Sequence, residues 1–149
     1  MLATEAMVAA WSLAVCLSDL NVRRIPNILS FGAMLLATGF LLATGHAVLG
    51  ADWQSAVLAA CLSLVFTVPA YLAGWLGAGD VKLLFAIGLL AGWKITLFSF
   101  VIAGLIAGLA AIAFLVLTRH FGWSVSRKRW LPFGAALSVG LLLAIGVGR

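Results

Sequence analysis

The chain carries only four acidic side chains in 149 residues: Glu5, Asp19, Asp52 and Asp80. Two of them stand where an acid is expensive. Asp80 interrupts an apolar run in Gly77-Ala78-Gly79-Asp80-Val81-Lys82-Leu83-Leu84, and Asp19 closes the first apolar stretch 61 positions earlier. Two carboxylates facing one wet cavity cannot both ionise easily, so the pair shares a proton. The ionised member takes a proton from water while the neutral one hydrogen-bonds a substrate carbonyl. Such a pair hydrolyses a peptide bond and needs neither metal nor cofactor. Each acid also has an ordinary reading. Asp80 directly precedes an apolar helix and is placed to cap it. Asp19 is within reach of Arg23, although an exposed pair of that kind contributes little. At the C-terminal end of a helix, moreover, the dipole disfavours an anion. Ionisable groups inside a membrane are costly and usually functional.

The elements that position these acids follow from composition. The chain is 65% hydrophobic and 9% charged, with a mean hydropathy of +1.24. A soluble domain carries about 25% charged residues. So few ionised side chains cannot make a water-facing surface, and the expected fold is all-α: one membrane-embedded domain, 1–149, with about six spans. Apolar runs between charged or turn-rich breaks place these at 2–18, 28–45, 53–75, 80–93, 95–118 and 131–148. The first is read as a retained span, because Glu5 precedes it and no Lys or Arg occurs before Arg23, whereas a secretory signal begins with basic residues.

The net charge of +5 belongs to loops rather than to a nucleic-acid surface. The first loop holds Arg23 and Arg24, the third Lys82, and the fifth Arg119, Arg127, Lys128 and Arg129. These seven face Lys94 and Arg149 on the other side, so the positive-inside rule puts the first, third and fifth loops in the cytoplasm and both termini outside. Asp19 and Asp80 then share the cytoplasmic side, and Glu5 and Asp52 the outer one. The fourth span is short, about 20 Å of helix against a hydrocarbon core of about 30 Å. Its preceding loop is therefore expected to dip into the bilayer, with Gly77 and Gly79 allowing a close-packed turn. That puts Asp80 at or below the membrane surface.

Other polar or reactive residues read as structural. Cys16 and Cys61 lie in apolar segments and read as small buried hydrophobes. His46 and His120 read as solvated loop residues without a visible partner. Gly88 with Gly92, and Gly104 with Gly108, have the small-xxx-small spacing of helix packing.

Taken in order, Asp19-x5-Ile25-Pro26-Asn27, Gly77-Ala78-Gly79-Asp80-Val81-Lys82-Leu83 and Leu131-Pro132-Phe133-Gly134 resemble the three motifs of the type IV prepilin peptidases, the GxGD aspartic proteases of the membrane. The resemblance covers nearly the whole chain. It implies a six-helix intramembrane protease of the bacterial inner membrane, with catalytic Asp19 and Asp80 at the cytoplasmic face. Such an enzyme removes the short basic leader from pilin precursors, typically after a glycine and just before the apolar pilin helix. It implies the pilin precursor, the lipid bilayer and the pilus assembly machinery as partners, no nucleic acid, and no cofactor or metal. Two departures stand out. The bifunctional members carry an insertion with paired cysteines associated with N-methylation; here the corresponding connection is short and has no CxxC. That is the pattern of the short branch serving tight-adherence (Flp-type) pili, or of the related archaeal preflagellin peptidases, and methyltransferase activity is not expected. In addition, Ala135 stands where the family often has a proline after Pro-Phe-Gly.

The supporting positions have physical roles to match. Pro26 suits a helix start, where its missing N–H costs nothing. Asn27 either caps that helix or orients Asp19. Lys82 either snorkels to the interface or approaches Asp80 across an irregular helix start. Pro132-Phe133-Gly134 makes a tight turn into the last span, with Phe133 as a packing residue or part of a substrate groove. Two other functions compete. A small transporter component would use Asp80 as a proton or cation site, and a non-catalytic pilus assembly subunit would bind pilin but tolerate loss of both aspartates.

Overall fold

The computed structural model describes residues 3–22, 25–121 and 132–147. Arg23, Arg24, Arg127, Lys128, Arg129 and Leu131 lie outside the described residues, and with them the expected Asp19–Arg23 pair. The described chain is all-helical: α1 (Ala3–Val22), α2 (Asn27–Thr44), α3 (Trp53–Leu72), α4 (Ala78–Phe121) and α5 (Phe133–Val147). Among them, α1 to α4 are long and apolar enough to cross a membrane, as expected of a polytopic membrane protein. The outward faces are apolar, with Leu35, Leu42 and Leu109 well exposed. The interior holds small polar residues, among them Ser12, Ser63, Ser99 and Ser138, all buried. Each of these hydroxyls donates to a backbone carbonyl, so none is left unpaired where water is absent.

α4 is two rods, because Gly92 interrupts it with φ 77° and ψ 176°. The described residues therefore form six helical segments, and the expected fourth and fifth spans meet at this break. The first rod, 78–91, is about 21 Å long at 1.5 Å per residue, as short as the sequence implied. A break at this depth must satisfy the backbone groups it frees. Leu49 N–H donates to the Leu90 carbonyl at 3.0 Å, Trp93 N–H to Ser55 Oγ at 3.1 Å, and the Thr96 hydroxyl to the Gly92 carbonyl at 2.7 Å. The loop between α2 and α3 thus caps the break. An ideal Cβ on Gly92 would lie 2.5 Å from Ala51 Cβ, so both the positive φ and the close approach demand glycine.

The expected glycine pairs divide. Gly88 packs on α3, where an added Cβ would come within 2.8 Å of Ala60 N, whereas a Cβ added at Gly104 or Gly108 would meet nothing within 4 Å among the described residues. Gly140, in α5, performs that closeness for the second rod, since its Cβ would lie 2.5 Å from the Ser99 carbonyl oxygen. α4 is accordingly the central element, packed against α2, α3 and α5, while α1 packs on α5.

Several boundaries and environments differ from the sequence reading. α1 continues through Asp19 to Val22. α3 stops at Leu72, where the chain turns through Gly74 with φ 75°. Cys16 is buried but Cys61 faces outward, which an apolar thiol tolerates beside lipid. His46 is exposed yet partnered: Nε2 lies 3.8 Å from Asp52 Oδ1, and Nδ1 is 3.0 Å from the Thr44 carbonyl.

Candidate active site

At the end of the bundle opposite the Gly92 break, the three motifs meet. Asp19 lies in the last turn of α1 and is 5% exposed. Its Oδ2 accepts a hydrogen bond from the Ala135 N–H at 2.8 Å. Ala135 is in the first turn of α5, where backbone N–H groups have no partner within the helix and the dipole favours an anion. This resolves the oddity of an acid at the C-terminal end of α1: its carboxylate caps a different helix. Gly134 makes room for it, since an ideal Cβ there would lie 3.0 Å from Asp19 Oδ2 and 2.7 Å from Ile25 Cδ1.

Asp80 lies in the first turn of α4 and is half-buried. It is not the N-cap, as the sequence reading had it, but sits three residues further in. Gly77 occupies the cap position, its carbonyl accepting from the Asp80 and Val81 N–H groups at 3.0 and 3.2 Å. The Asp80 carboxylate reaches back to accept from the Gly77 N–H at 3.0 Å. This is one half of a capping box, which asks for an acid at this position. Gly79, one residue earlier, packs against Ile25, whose Cβ lies 3.5 Å from where a glycine Cβ would be. Ile25 therefore touches Gly79, next to Asp80, and Gly134, against which the Asp19 carboxylate lies, and so joins the start of α4 to the start of α5 that Asp19 caps.

The remaining site residues surround this junction. Pro26 is the N-cap of α2, at φ −57° and ψ 134°, rather than its first helical residue. Its carbonyl accepts from the Leu29 N–H at 3.0 Å. Asn27 opens α2 but makes no side-chain cap; instead its Oδ1 accepts from Lys82 Nζ at 3.2 Å. Lys82 thus ties the start of α4 to the start of α2, with its ammonium 4.5 Å from the Phe31 ring centroid. The Pro132 carbonyl accepts from Ala136 N–H at 3.2 Å, and Phe133 is a packing residue, edge-on to Phe100 at 6.3 Å. A cavity of about 210 Å³ lined by Cys16, Leu20, Pro132 and Ala135 opens beside the turn that carries Asp19.

Two participants escaped the sequence reading. Ile25 was visible in the Ile-Pro-Asn run, but nothing in a lone isoleucine announces a double contact. The Ala135 donor is a backbone N–H, which leaves no trace in residue type except that it cannot be proline.

The architecture is that of a polytopic helical membrane protein with two acidic helix ends gathered at one end of the bundle. The family model for the type IV leader peptidases matches residues 6–112, and the chain belongs to that family. The matched region contains both Asp19 and Asp80 and stops short of Pro132–Gly134. Over 133 residues the chain is 29% identical to a prepilin leader peptidase/N-methyltransferase of Bacillus subtilis (strain 168), covering 87% of this chain and 50% of that protein. The chain thus spans about half the length of the curated relative it matches. No solved structure gives a significant match.

Proposed function

We propose that the protein is an intramembrane aspartic endopeptidase that removes the basic leader from type IV pilin precursors, of the Flp type, at the cytoplasmic face of the bacterial inner membrane. The observation that carries this reading is the Ile25 junction. Asp80 stands in the first turn of α4 and Asp19 caps the start of α5, and the Ile25 side chain packs against both of those helix starts, in a chain of the leader peptidase family. The excess of Lys and Arg in the first, third and fifth loops of the sequence, which flank both acids, supports a cytoplasmic site.

In the proposed reaction Asp19 and Asp80 share one proton. The ionised carboxylate takes a proton from a water molecule as its oxygen attacks the scissile carbonyl carbon. The protonated partner hydrogen-bonds the carbonyl oxygen, which becomes the hydroxyl of a tetrahedral diol. Collapse of the diol breaks the C–N bond, and a carboxyl proton passes to the departing amine, leaving a new carboxyl terminus on the leader and a new amino terminus on the pilin. The Ala135 N–H would hold Asp19 in one orientation through the cycle, as preorganised donors do. Asn27, Lys82, Pro26, Gly77, Gly79 and Pro132-Phe133-Gly134 fix the frame. The two cysteines sit on separate helices, and the 23–26 connection carries none, so the activity proposed is peptidase without methyl transfer.

Co-expression with a pilin precursor tests this. Asp19→Ala or Asp80→Ala should each leave the leader attached, as read from the precursor's mass. Leader removal by either variant at the wild-type rate sinks the proposal and favours a non-catalytic pilus subunit.

A further inference from the structure

No charged residue stands between Asp52 and Asp80, so α3 and the turn that follows it are uncharged throughout. Backbone bonds fix the shape of that turn. Gly74, with φ 75°, donates its N–H to the Tyr71 carbonyl, and Trp75 donates to the Ala70 carbonyl, each at 2.9 Å. The pair of bonds is a Schellman motif, which commonly folds the residue after the glycine back onto the preceding turn. That turn offers only Pro69 and Ala70, and Trp75 stays 83% exposed, beside exposed Tyr71 and Leu72. A fixed backbone thus holds a large indole outward, close to Asp80 in the chain. The far end of α3 carries aromatic rings as well: Trp53 opens the helix, Trp93 follows the Gly92 break, and both are exposed. Between the two ends Leu58, Val65 and Val68 face outward. The 20 residues of α3 span about 30 Å, the thickness of a hydrocarbon core.

We propose that Tyr71, Leu72 and Trp75 form a collar that seats at the headgroup level of the bilayer, on the side of the candidate active site. An indole has an apolar body and one polar N–H, which suits it to the boundary between acyl chains and headgroups. The collar continues the outward apolar strip of α3, and Trp53 and Trp93 mark the opposite boundary one bilayer thickness away. A soluble partner would find no charge here to pair with. The packing of α4 on α3 then gives the depth of Asp80. An ideal Cβ on Gly92 would lie 2.6 Å from Ser55 Oγ, and one on Gly88 would lie 2.9 Å from the Ala59 carbonyl carbon. The Leu84 carbonyl accepts from Ser63 Oγ at 3.1 Å. These pairs descend in steps of four on both helices, and one further step puts Asp80 level with Thr67. From Thr67 to Leu72 is about 7 Å of helix. With the collar at the headgroup level, Asp80 lies about that far beneath it.

Quenching of tryptophan fluorescence by brominated lipid tests the collar, on the full chain in phosphatidylcholine–phosphatidylglycerol vesicles. The chain has six tryptophans, so the Trp75 signal is the wild-type emission minus that of Trp75→Phe. Should the phenylalanine protein fail to insert, Trp75→Tyr serves the same subtraction. Acyl chains brominated near the carbonyl end should quench the Trp75 signal about twofold more than chains brominated near the methyl end. Aqueous iodide should quench it little. The Trp53 signal, from Trp53→Phe, should show the same shallow profile. A Trp75 signal quenched by iodide and by neither bromolipid overturns the collar and leaves the indole to a soluble partner. Stronger quenching from the methyl end also overturns it, because α3 would then end inside the acyl core. A Trp53 signal that is not shallow overturns the matching of α3 to the bilayer on which the collar rests. None of these measurements requires cleavage, so the collar stands or falls apart from the peptidase reading.

Discussion

Substituting Gly134 by alanine presses on the candidate site through one atom. The added Cβ would lie 2.7 Å from Ile25 Cδ1 and 3.0 Å from Asp19 Oδ2. Carbon atoms rest at about 3.5–4.0 Å, so Ile25 must retreat by about 1 Å and the carboxylate by a few tenths. A displacement of about 1 Å at reacting groups costs on the order of 100-fold in rate; the smaller shift of Asp19 predicts a fall in kcat of about 10- to 100-fold. Stability should change much less. Overpacking costs about 1–3 kcal/mol, and replacing glycine in a helix recovers about 1 kcal/mol. The assay is precursor cleavage beside a denaturant titration of the same purified sample. Gly146→Ala is the control, on the same helix and with nothing within 4 Å; it should leave cleavage intact. A Gly134→Ala protein that cleaves at the wild-type rate would refute the reasoning that the Ile25–Gly134–Asp19 contact positions the carboxylate.

Three other outcomes follow from the same geometry. Ala135→Pro removes the donor to Asp19 but installs the proline that the resembled peptidases often carry after Pro-Phe-Gly, so kcat should fall by less than about tenfold while KM holds; a loss of about 100-fold or more would show that this chain depends on the donor. Gly92→Ala combines a left-handed backbone with a 2.5 Å approach to Ala51 and should destabilise by about 2–4 kcal/mol, whereas Gly104→Ala, in open space, should be neutral or slightly stabilising in the same titration. Lys82→Met loses the bond to Asn27 and the contact with Phe31; it should cost about 1 kcal/mol in stability and less than tenfold in cleavage, and complete inactivation would assign Lys82 a direct chemical role.

Apolar run lengths were enough to read the helical architecture and the short fourth segment, because hydrocarbon thickness dictates span length. Charge placement put Asp19 and Asp80 at one end, where both are found. What spacing alone did not reveal was contact. Gly88 and Gly104 carry the same four-residue repeat, yet only Gly88 meets a neighbouring backbone. Gly92, read as a packing glycine, is instead the break that ends one rod and starts the next. The acids illustrate the same limit. Capping explains Asp80 locally, and a three-residue window shows it. The partner of Asp19 lies 116 residues away on the backbone of Ala135, beyond any local pattern. Ordinary and functional readings do not exclude each other, since an acid that caps a helix end is thereby held still, as a reacting group has to be.

The central claim is that Asp19 and Asp80 work as a pair, and isosteric substitution tests it most directly. Asp19→Asn and Asp80→Asn keep the side-chain shape but cannot share the proton. Purified in detergent with a pilin precursor, each should yield uncleaved precursor by mass spectrometry, while Asp52→Asn and Glu5→Gln yield the trimmed pilin with its new amino terminus at the leader junction. Trimming by either Asp19→Asn or Asp80→Asn at the wild-type rate would contradict the account.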